Sequence, residues 1–162
     1  MVYISWVIYI VLAGANILWS RKPRTARNIL EIVTLYLLAI NVGIGGLFAF
    51  YGHIFMPDMV ARSIGWATGS GFQAEIGFAN LAFGIVGILC IWLRGNFWLA
   101  AAINSLVFNL GAGFVHIRDI MANQNLAVNN AGPVLWVADI FSPLLLITMV
   151  LIFRKLDKTS SL

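Results

Sequence analysis

Five long apolar runs, separated by short polar segments, dominate the chain. A helix that crosses a bilayer needs about 20 mostly apolar residues, and the runs approach or exceed that length. They are Val2–Trp19, Ile29–Phe55, Phe72–Leu93, Phe97–Ile117 and Pro133–Phe153. Backbone groups in lipid must be hydrogen-bonded within the protein, and continuous runs of this length suit helices rather than barrel strands. We therefore predict an all-α bundle of five transmembrane spans that forms a single domain, residues 1–162.

Composition agrees with lipid as the solvent. Of the 162 residues, 61% are hydrophobic and 10% are charged, whereas a soluble domain has about 25% charged residues. The net charge of +4 does not form the basic face that nucleic-acid binding requires, because the basic residues lie at the ends of the apolar runs. We expect a multi-pass protein of the cell membrane, in a bacterium the inner membrane, with no nucleic-acid partner.

The positions of lysine and arginine predict the orientation of the spans. The second and fourth loops contain only Arg62 and Arg118. The first loop, the third connection and the tail share the other side and contain eight basic residues: Arg21, Lys22, Arg24, Arg27, Arg94, Arg154, Lys155 and Lys158. Because cytoplasmic loops are enriched in Lys and Arg, we predict that the N-terminus lies outside and the C-terminus lies in the cytoplasm. Tryptophans should then form belts at both interfaces, with Trp6, Trp66 and Trp136 outside and Trp19, Trp92 and Trp98 inside.

The two longer loops lie on the predicted outer side. The loop Met56–Gly71 contains Pro57 and Asp58, which are typical helix-start residues. We predict a short segment there that lies in the interface plane as a lid. The loop Arg118–Gly132 is rich in asparagine.

Small and polar residues at helical spacing predict the interior faces of the spans. Asparagine and serine on such faces usually hydrogen-bond to neighbouring helices, and we expect this packing role for Asn16, Asn41, Asn104 and Ser105. The second run has Asn41, Gly45, Ala49 and His53 at this spacing. The third has Gln73, Gly77, Asn80, Gly84 and Gly87, and the fourth has Ala102, Ser105, Asn109, Ala112 and His116.

Four ionisable side chains lie inside the apolar runs, near the outer ends: His53, Glu75, His116 and Asp139. A charge at mid-helix costs roughly 2.5 to 3.5 kcal/mol on insertion scales, so such a group indicates a functional site. With the polar faces inward, His53, His116, Asn80 and Asn109 would line an outward-facing pocket together with Asp139. Arg118 or a histidine is the expected partner of Asp139. Glu75 lies roughly 160° from Asn80 around its helix and could instead face another helix or the outer interface.

Several chemistries suit this set of residues. We favour a pocket that binds a lipid, a quinone or another amphipathic ligand, or a contact with a partner subunit or second copy in a membrane assembly. The alternative is a small membrane-embedded enzyme in which a histidine and an acid transfer protons, with or without metal or haem. No HxxxH or CxxC spacing occurs, so we assign no metal site, and the cofactor stays undetermined. The groups could also lie at the headgroup level and cap helices.

Short motifs mark the middle of the chain. Tyr51-Gly52-His53 ends a glycine-rich run, Pro57 and Ile64-Gly65-Trp66 follow in the loop, and the next run begins Phe72-Gln73-Ala74-Glu75-Ile76-Gly77. In these features Gly43–Leu93 resembles the small DoxX-like membrane proteins. That family consists mostly of four-helix bundles, some linked to quinone-dependent respiratory enzymes. The resemblance implies a shared pocket marked by His53 and Glu75, although this chain has an additional N-terminal span and an asparagine-rich fourth loop.

Overall fold

In the computed structural model of the chain, residues 2–160 are described, with side chains for residues 3–157. This part of the chain is helical and contains no strand. The helices are α1 (Val2–Trp19), α2 (Ala26–Phe55), α3 (Pro57–Ile64), α4 (Phe72–Leu89), α5 (Asn96–Asn123) and α6, which consists of Val134–Phe141 and Ser142–Ser160. Four of them, α2, α4, α5 and α6, are long and apolar enough to cross a membrane, and α1 is a shorter apolar helix. The all-α prediction is confirmed, and the helices indicate a multi-pass membrane protein.

The helix bounds differ from the predicted spans at both apolar and polar ends; α4, for example, ends at Leu89 rather than Leu93. α2 begins at Ala26 rather than Ile29, because the Thr25 side chain accepts a hydrogen bond from the Asn28 backbone N–H and caps the helix. α5 continues to Asn123 rather than ending at Ile117. Polar residues end an apolar run without ending a helix, so hydropathy predicted the extent of the apolar run and not the end of the helix.

Two helices contain π-helical stretches, Leu37–Ile44 in α2 and Val134–Phe141 at the start of α6. A π-helical turn contains more residues than an α-helical turn, so it rotates every residue after it relative to uniform α-helical spacing. The interior face of α2 is shifted in this way. Gly43 and Gly46 are buried, whereas Gly45, which the regular spacing placed inside, is only half-buried.

α2 and α4 pack with their backbones in contact. A Cβ atom added at Gly46 would lie 2.7 Å from the Gly84 nitrogen and 2.8 Å from the Asn80 carbonyl oxygen. A Cβ atom at Gly84 would lie 3.0 Å from the Leu47 nitrogen. Small residues permit this close approach between membrane helices. Gly84 is buried, as the predicted interior face of α4 requires.

Apart from the α2–α4 contact, an apolar core forms a second packing unit between α1, α2, α5 and α6. Its members come from all four helices: Tyr9, Ala13, Leu37, Leu38, Ile40, Trp98, Ala101, Ala102, Leu146, Val150 and Phe153. Trp98 is fully buried and donates its indole N–H to the Cys90 carbonyl oxygen at 2.9 Å. Since α2 belongs to both packing units, it joins the α2–α4 pair to the rest of the bundle.

Polar contacts show which connections share an end of the bundle. Arg94 Nη1 donates to Glu31 Oε1 at 2.9 Å, and Arg27 pairs with Asp157. The start of α2, the α4–α5 connection and the end of α6 therefore meet at one end, which we call the basic end (residues 20–31, 90–96 and 154–157). This grouping agrees with the distribution of basic residues, although the side chain of Lys158 lies outside the described residues. The other end, formed by α3, residues 65–71 and residues 116–133, is called the polar end.

Candidate functional site

His116 lies on α5 at the polar end and is buried. Its Nδ1 is 2.7 Å from Asn130 Oδ1 in the α5–α6 loop. Because an amide oxygen only accepts hydrogen bonds, Nδ1 carries the proton, and Nε2 of the neutral ring is left as an acceptor. The ring also stacks on Trp66, with centroids 5.5 Å apart and planes 21° apart. These two contacts fix the imidazole and direct Nε2 towards α6.

Asp139 is the group that His116 Nε2 approaches. It is buried in the π-helical stretch of α6, and its Oδ2 lies 3.8 Å from Nε2. Oδ2 has no hydrogen-bond partner among the described residues. Asp139 packs close to Gly113 of α5, where an added Cβ atom would be in ordinary van der Waals contact, 3.4 Å from Asp139 Cβ. The expected partner of Asp139 is thus His116 rather than Arg118, which is exposed.

Pro143 explains why α6 is π-helical, and therefore wider than an α-helix, around Asp139. Pro143 is buried in α6 and has no backbone N–H, so it cannot complete the regular hydrogen bonds of the preceding turn. One residue earlier, the Ser142 backbone N–H donates to the Val137 carbonyl oxygen, and the Ser142 hydroxyl donates to the same oxygen at 2.6 Å. Ser142-Pro143 inside the last apolar run was a sequence signal for this distortion, and the sequence interpretation did not use it.

Asp119 anchors a network of neutral donors next to the His116 ring. Its carboxylate accepts hydrogen bonds from Trp66 Nε1 at 2.9 Å, Asn123 Nδ2 at 2.6 Å and Asn125 Nδ2 at 2.7 Å. Trp66 is therefore held on one side by Asp119 and on the other by the stacked imidazole. The Asp119 carboxylate thus accepts three hydrogen bonds, whereas Asp139 Oδ2 accepts none from the described residues.

The asparagine-rich loop ties α3 to this network. The Asn129 N–H donates to the Ser63 carbonyl oxygen at 3.1 Å, and Asn129 Nδ2 donates to Ser63 Oγ at 2.9 Å. Gly65 ends α3 with a positive φ of 80°, and a Cβ atom there would lie 2.6 Å from Asn125 Oδ1. Both the backbone conformation and the space require glycine. A short helix begins at Pro57, as the helix-start residues predicted, and its role as a lid in the interface plane stays a prediction. The role of the asparagines was not foreseen.

The other predicted site residues lie apart from the His116–Asp139 pair. His53 is half-buried, and its Nδ1 lies 2.6 Å from Gln73 Oε1 at the start of α4. Within the described residues, no hydrogen bond or ion pair joins His53 to His116 or Asp139. Glu75 is exposed. The structure thus contains two separate pairs, His53 with Gln73 and His116 with Asp139.

The two predicted asparagines make local bonds. Asn80 Nδ2 donates to the Ile76 carbonyl oxygen of its own helix at 2.9 Å. Asn109 Nδ2 donates to the Ser105 carbonyl oxygen at 2.8 Å and to its hydroxyl at 3.1 Å. A shallow surface depression on α5 has none of the six predicted residues in its lining, which is formed by Phe114, Ile117, Arg118, Met121 and Ala122. A single pocket shared by all six residues remains a prediction.

The chain was also compared with known proteins. No curated protein and no solved structure shows significant similarity to it. The model of a protein family whose function is unknown matches residues 1–159, nearly the entire chain. The chain therefore belongs to the family of unknown function DUF6790.

Proposed function

We propose that this membrane protein binds an amphipathic ligand, such as a lipid or a quinone, at the pair formed by His116 and Asp139. One observation carries the proposal. The buried Asp139 Oδ2 has no hydrogen-bond donor among the described residues and lies 3.8 Å from His116 Nε2. An unpaired buried carboxylate oxygen is costly, so a ligand that supplies a donor would offset that cost. Ionisable groups within membrane spans are functional-site candidates for the same reason.

The chemistry of the pair restricts the ligand. Asp139 Oδ2 accepts hydrogen bonds, and so does Nε2 of a neutral His116 ring, so the ligand's polar group must donate, as a hydroxyl or an amine does. A quinone carries only carbonyl acceptors, so it would fit this pair in its reduced, hydroxyl-bearing quinol form. The surrounding helices are apolar and suit a hydrocarbon tail. Trp66 covers the imidazole, so a ligand that enters from the polar end requires α3 or the 124–132 loop to move.

The test measures lipids and quinones that purify with the protein. Wild type, Asp139→Asn, His116→Ala and the matched control His53→Ala are extracted in mild detergent, and bound small molecules are quantified per protein by mass spectrometry. We expect one ligand near stoichiometric amounts in wild type and His53→Ala, and its loss from the other two variants. Equal amounts in all four proteins would contradict the proposal. Absence of any enriched ligand from wild type would also contradict it and favour an accessory role in a membrane assembly.

We further propose that α1 is a fifth span and that the N-terminus lies outside. α1 runs along α2, where Asn16 Nδ2 donates to the Tyr36 hydroxyl and Ser5 Oγ donates to Asn41 Oδ1, each at 3.1 Å. Trp6 also packs on Phe141 of α6, with ring centroids 5.5 Å apart. The excess of Lys and Arg at the basic end supports a cytoplasmic position for that end.

Cysteine labelling in intact cells tests this topology. In a Cys90→Ala background, Thr25→Cys places one thiol at the basic end and Thr68→Cys places one at the polar end. A membrane-impermeant maleimide should label Thr68→Cys in intact cells and Thr25→Cys only after permeabilisation. The reverse pattern would show that the orientation is inverted.

The relation of Gly43–Leu93 to DoxX-like proteins is also a proposal. It is supported by contacts among the motif residues, because His53 bonds to Gln73 and a Cβ atom at Gly77 would lie 2.8 Å from Ile54 and 3.3 Å from His53 Cβ. A chimera that carries the corresponding segment of a DoxX-like protein should therefore insert and purify as a monodisperse protein. A chimera that aggregates while the parent chain does not would weigh against the relation.

A further inference from the structure

One amide faces the lipid well inside a span. Asn104 on α5 is exposed, and its side chain makes no hydrogen bond to the described residues. At a rise of 1.5 Å per residue it lies about 12 Å from the start of α5 at Asn96, within a hydrocarbon core about 30 Å thick. Asn16 and Asn41 bond to neighbouring helices as expected. A packing role was predicted for Asn104, but its side chain has no hydrogen-bonding partner among the described residues.

An exposed amide at this depth favours association with another polar group. Hydrocarbon offers no hydrogen-bonding groups, so an unpaired amide there is unfavourable. The asparagine side chain both donates and accepts, and it is therefore complementary to another asparagine. Interhelical hydrogen bonds of this kind stabilise helix pairs in membranes.

The residues around Asn104 form a continuous exposed face of α5. Its members follow at steps of three and four residues and are all exposed: Ala100, Asn104, Val107, Gly111 and Val115. A Cβ atom at Gly111 would have nothing within 4 Å. Glycine at this position allows a second helix to approach closely, as small residues do in membrane helix pairs.

We propose that this face of α5 is the interface of a homodimer in which the Asn104 amides of the two protomers hydrogen-bond to each other. Insertion gives both copies the same orientation, so the dimer axis is normal to the membrane and identical residues meet near it. The exposed face of α1 fits this role less well. Gly14 is equally open there, but the nearby Asn16 amide is already bonded to Tyr36.

Disulfide trapping in vesicles tests which face pairs. The full chain carries Cys90→Ala together with either Val107→Cys on α5 or the control Ile10→Cys on α1, positions that are 68% and 60% exposed. Oxidation in phospholipid vesicles should give a covalent dimer with Val107→Cys and little with Ile10→Cys. Absence of a dimer with Val107→Cys, or equal yields at the two positions, would overturn the proposal.

Energy transfer between labelled chains in the same vesicles measures the dimer affinity. Asn104→Ala should weaken dimerisation about 5- to 30-fold, and Asn104→Gln should retain most of the affinity. Gly111→Leu should prevent dimerisation by blocking close approach, whereas the matched substitution Gly14→Leu, also into open space, should have no effect. Unfolding is measured alongside, and none of these variants should unfold more readily. If Asn104→Ala and Gly111→Leu dimerise like wild type, the interface is wrong.

Discussion

The α2–α4 pair and the polar-end contact between α5 and α6 use different interactions between helices. Gly46 and Gly84 bring the backbones of α2 and α4 together, and no side chain separates them. At the polar end α5 and α6 instead meet around His116 and Asp139, where one carboxylate oxygen has no donor among the described residues. Lipid gives helices no hydrophobic reason to associate, so close packing must stabilise the bundle. We expect the contact at Asp139 to lower stability, and such a contact is more readily explained by function.

The largest effect is expected at the glycine contact. Gly46→Val should lower the free energy of unfolding by about 3 kcal/mol, because the added atoms meet the backbone of α4, which cannot move without separating the helices. Denaturant unfolding in mixed micelles measures the change. The control is Gly14→Val, which adds the same atoms in open space on α1 and should change the value by no more than about 0.5 kcal/mol. Similar losses for the two variants would show that backbone contact is not what stabilises the pair.

A smaller loss is expected when the imidazole is removed from the polar end. His116→Ala should lower the free energy of unfolding by about 2 kcal/mol, since it leaves Oδ1 of the fully buried Asn130 without its donor and Trp66 without its stacked ring. His53→Ala removes one hydrogen bond from a half-buried position and should cost about 1 kcal/mol. The same unfolding experiment compares them. An equal or larger loss for His53→Ala would indicate that His116 is not the central histidine.

The third substitution is expected to stabilise the protein, whereas the previous ones destabilise it. Asp139→Asn should raise the free energy of unfolding by about 1 kcal/mol, because an amide is less costly to bury than a carboxylate and can donate towards His116 Nε2. The variant should also lose the bound ligand. The same substitution at Asp119 should lower stability, since that carboxylate accepts three hydrogen bonds. Destabilisation by Asp139→Asn would mean that the carboxylate serves the fold.

The sequence predicted the long helices and the grouping of their connections, but not the local distortions within the helices. Apolar run length located the four long helices, and the distribution of basic residues grouped the connections that meet at the basic end. These features depend on local composition. The π-helical stretch Leu37–Ile44 could not be read in this way, because regular helical spacing was assumed throughout. That assumption placed Gly45 rather than Gly46 in the interior.

Only those members of the candidate site that lie on long helices, where depth along the helix gives the position, could be predicted from the sequence. His116 and Asp139 were both expected towards the outer ends of their spans, with Asp139 the deeper, and the structure brings their side chains to 3.8 Å. Trp66 and Asn130 were missed because they come from two loops whose positions depend on tertiary contacts. His53 was grouped with His116 because both end polar helix faces at similar depth, and depth and face together do not determine which neighbour a side chain meets.

The smallest effect concerns Glu75, which lies on α4 in the pair that depends on close packing. Its side chain is exposed and makes no hydrogen bond or ion pair to the described residues, so neither packing nor the His116–Asp139 pair depends on it. Glu75→Gln should change the free energy of unfolding by less than about 0.5 kcal/mol and should retain as much ligand as wild type. Only the resemblance to DoxX-like proteins assigns Glu75 to a pocket. Loss of ligand from this variant would show that the pocket extends to α4 and that the separation of the two helix pairs into a packing unit and a binding unit is incorrect.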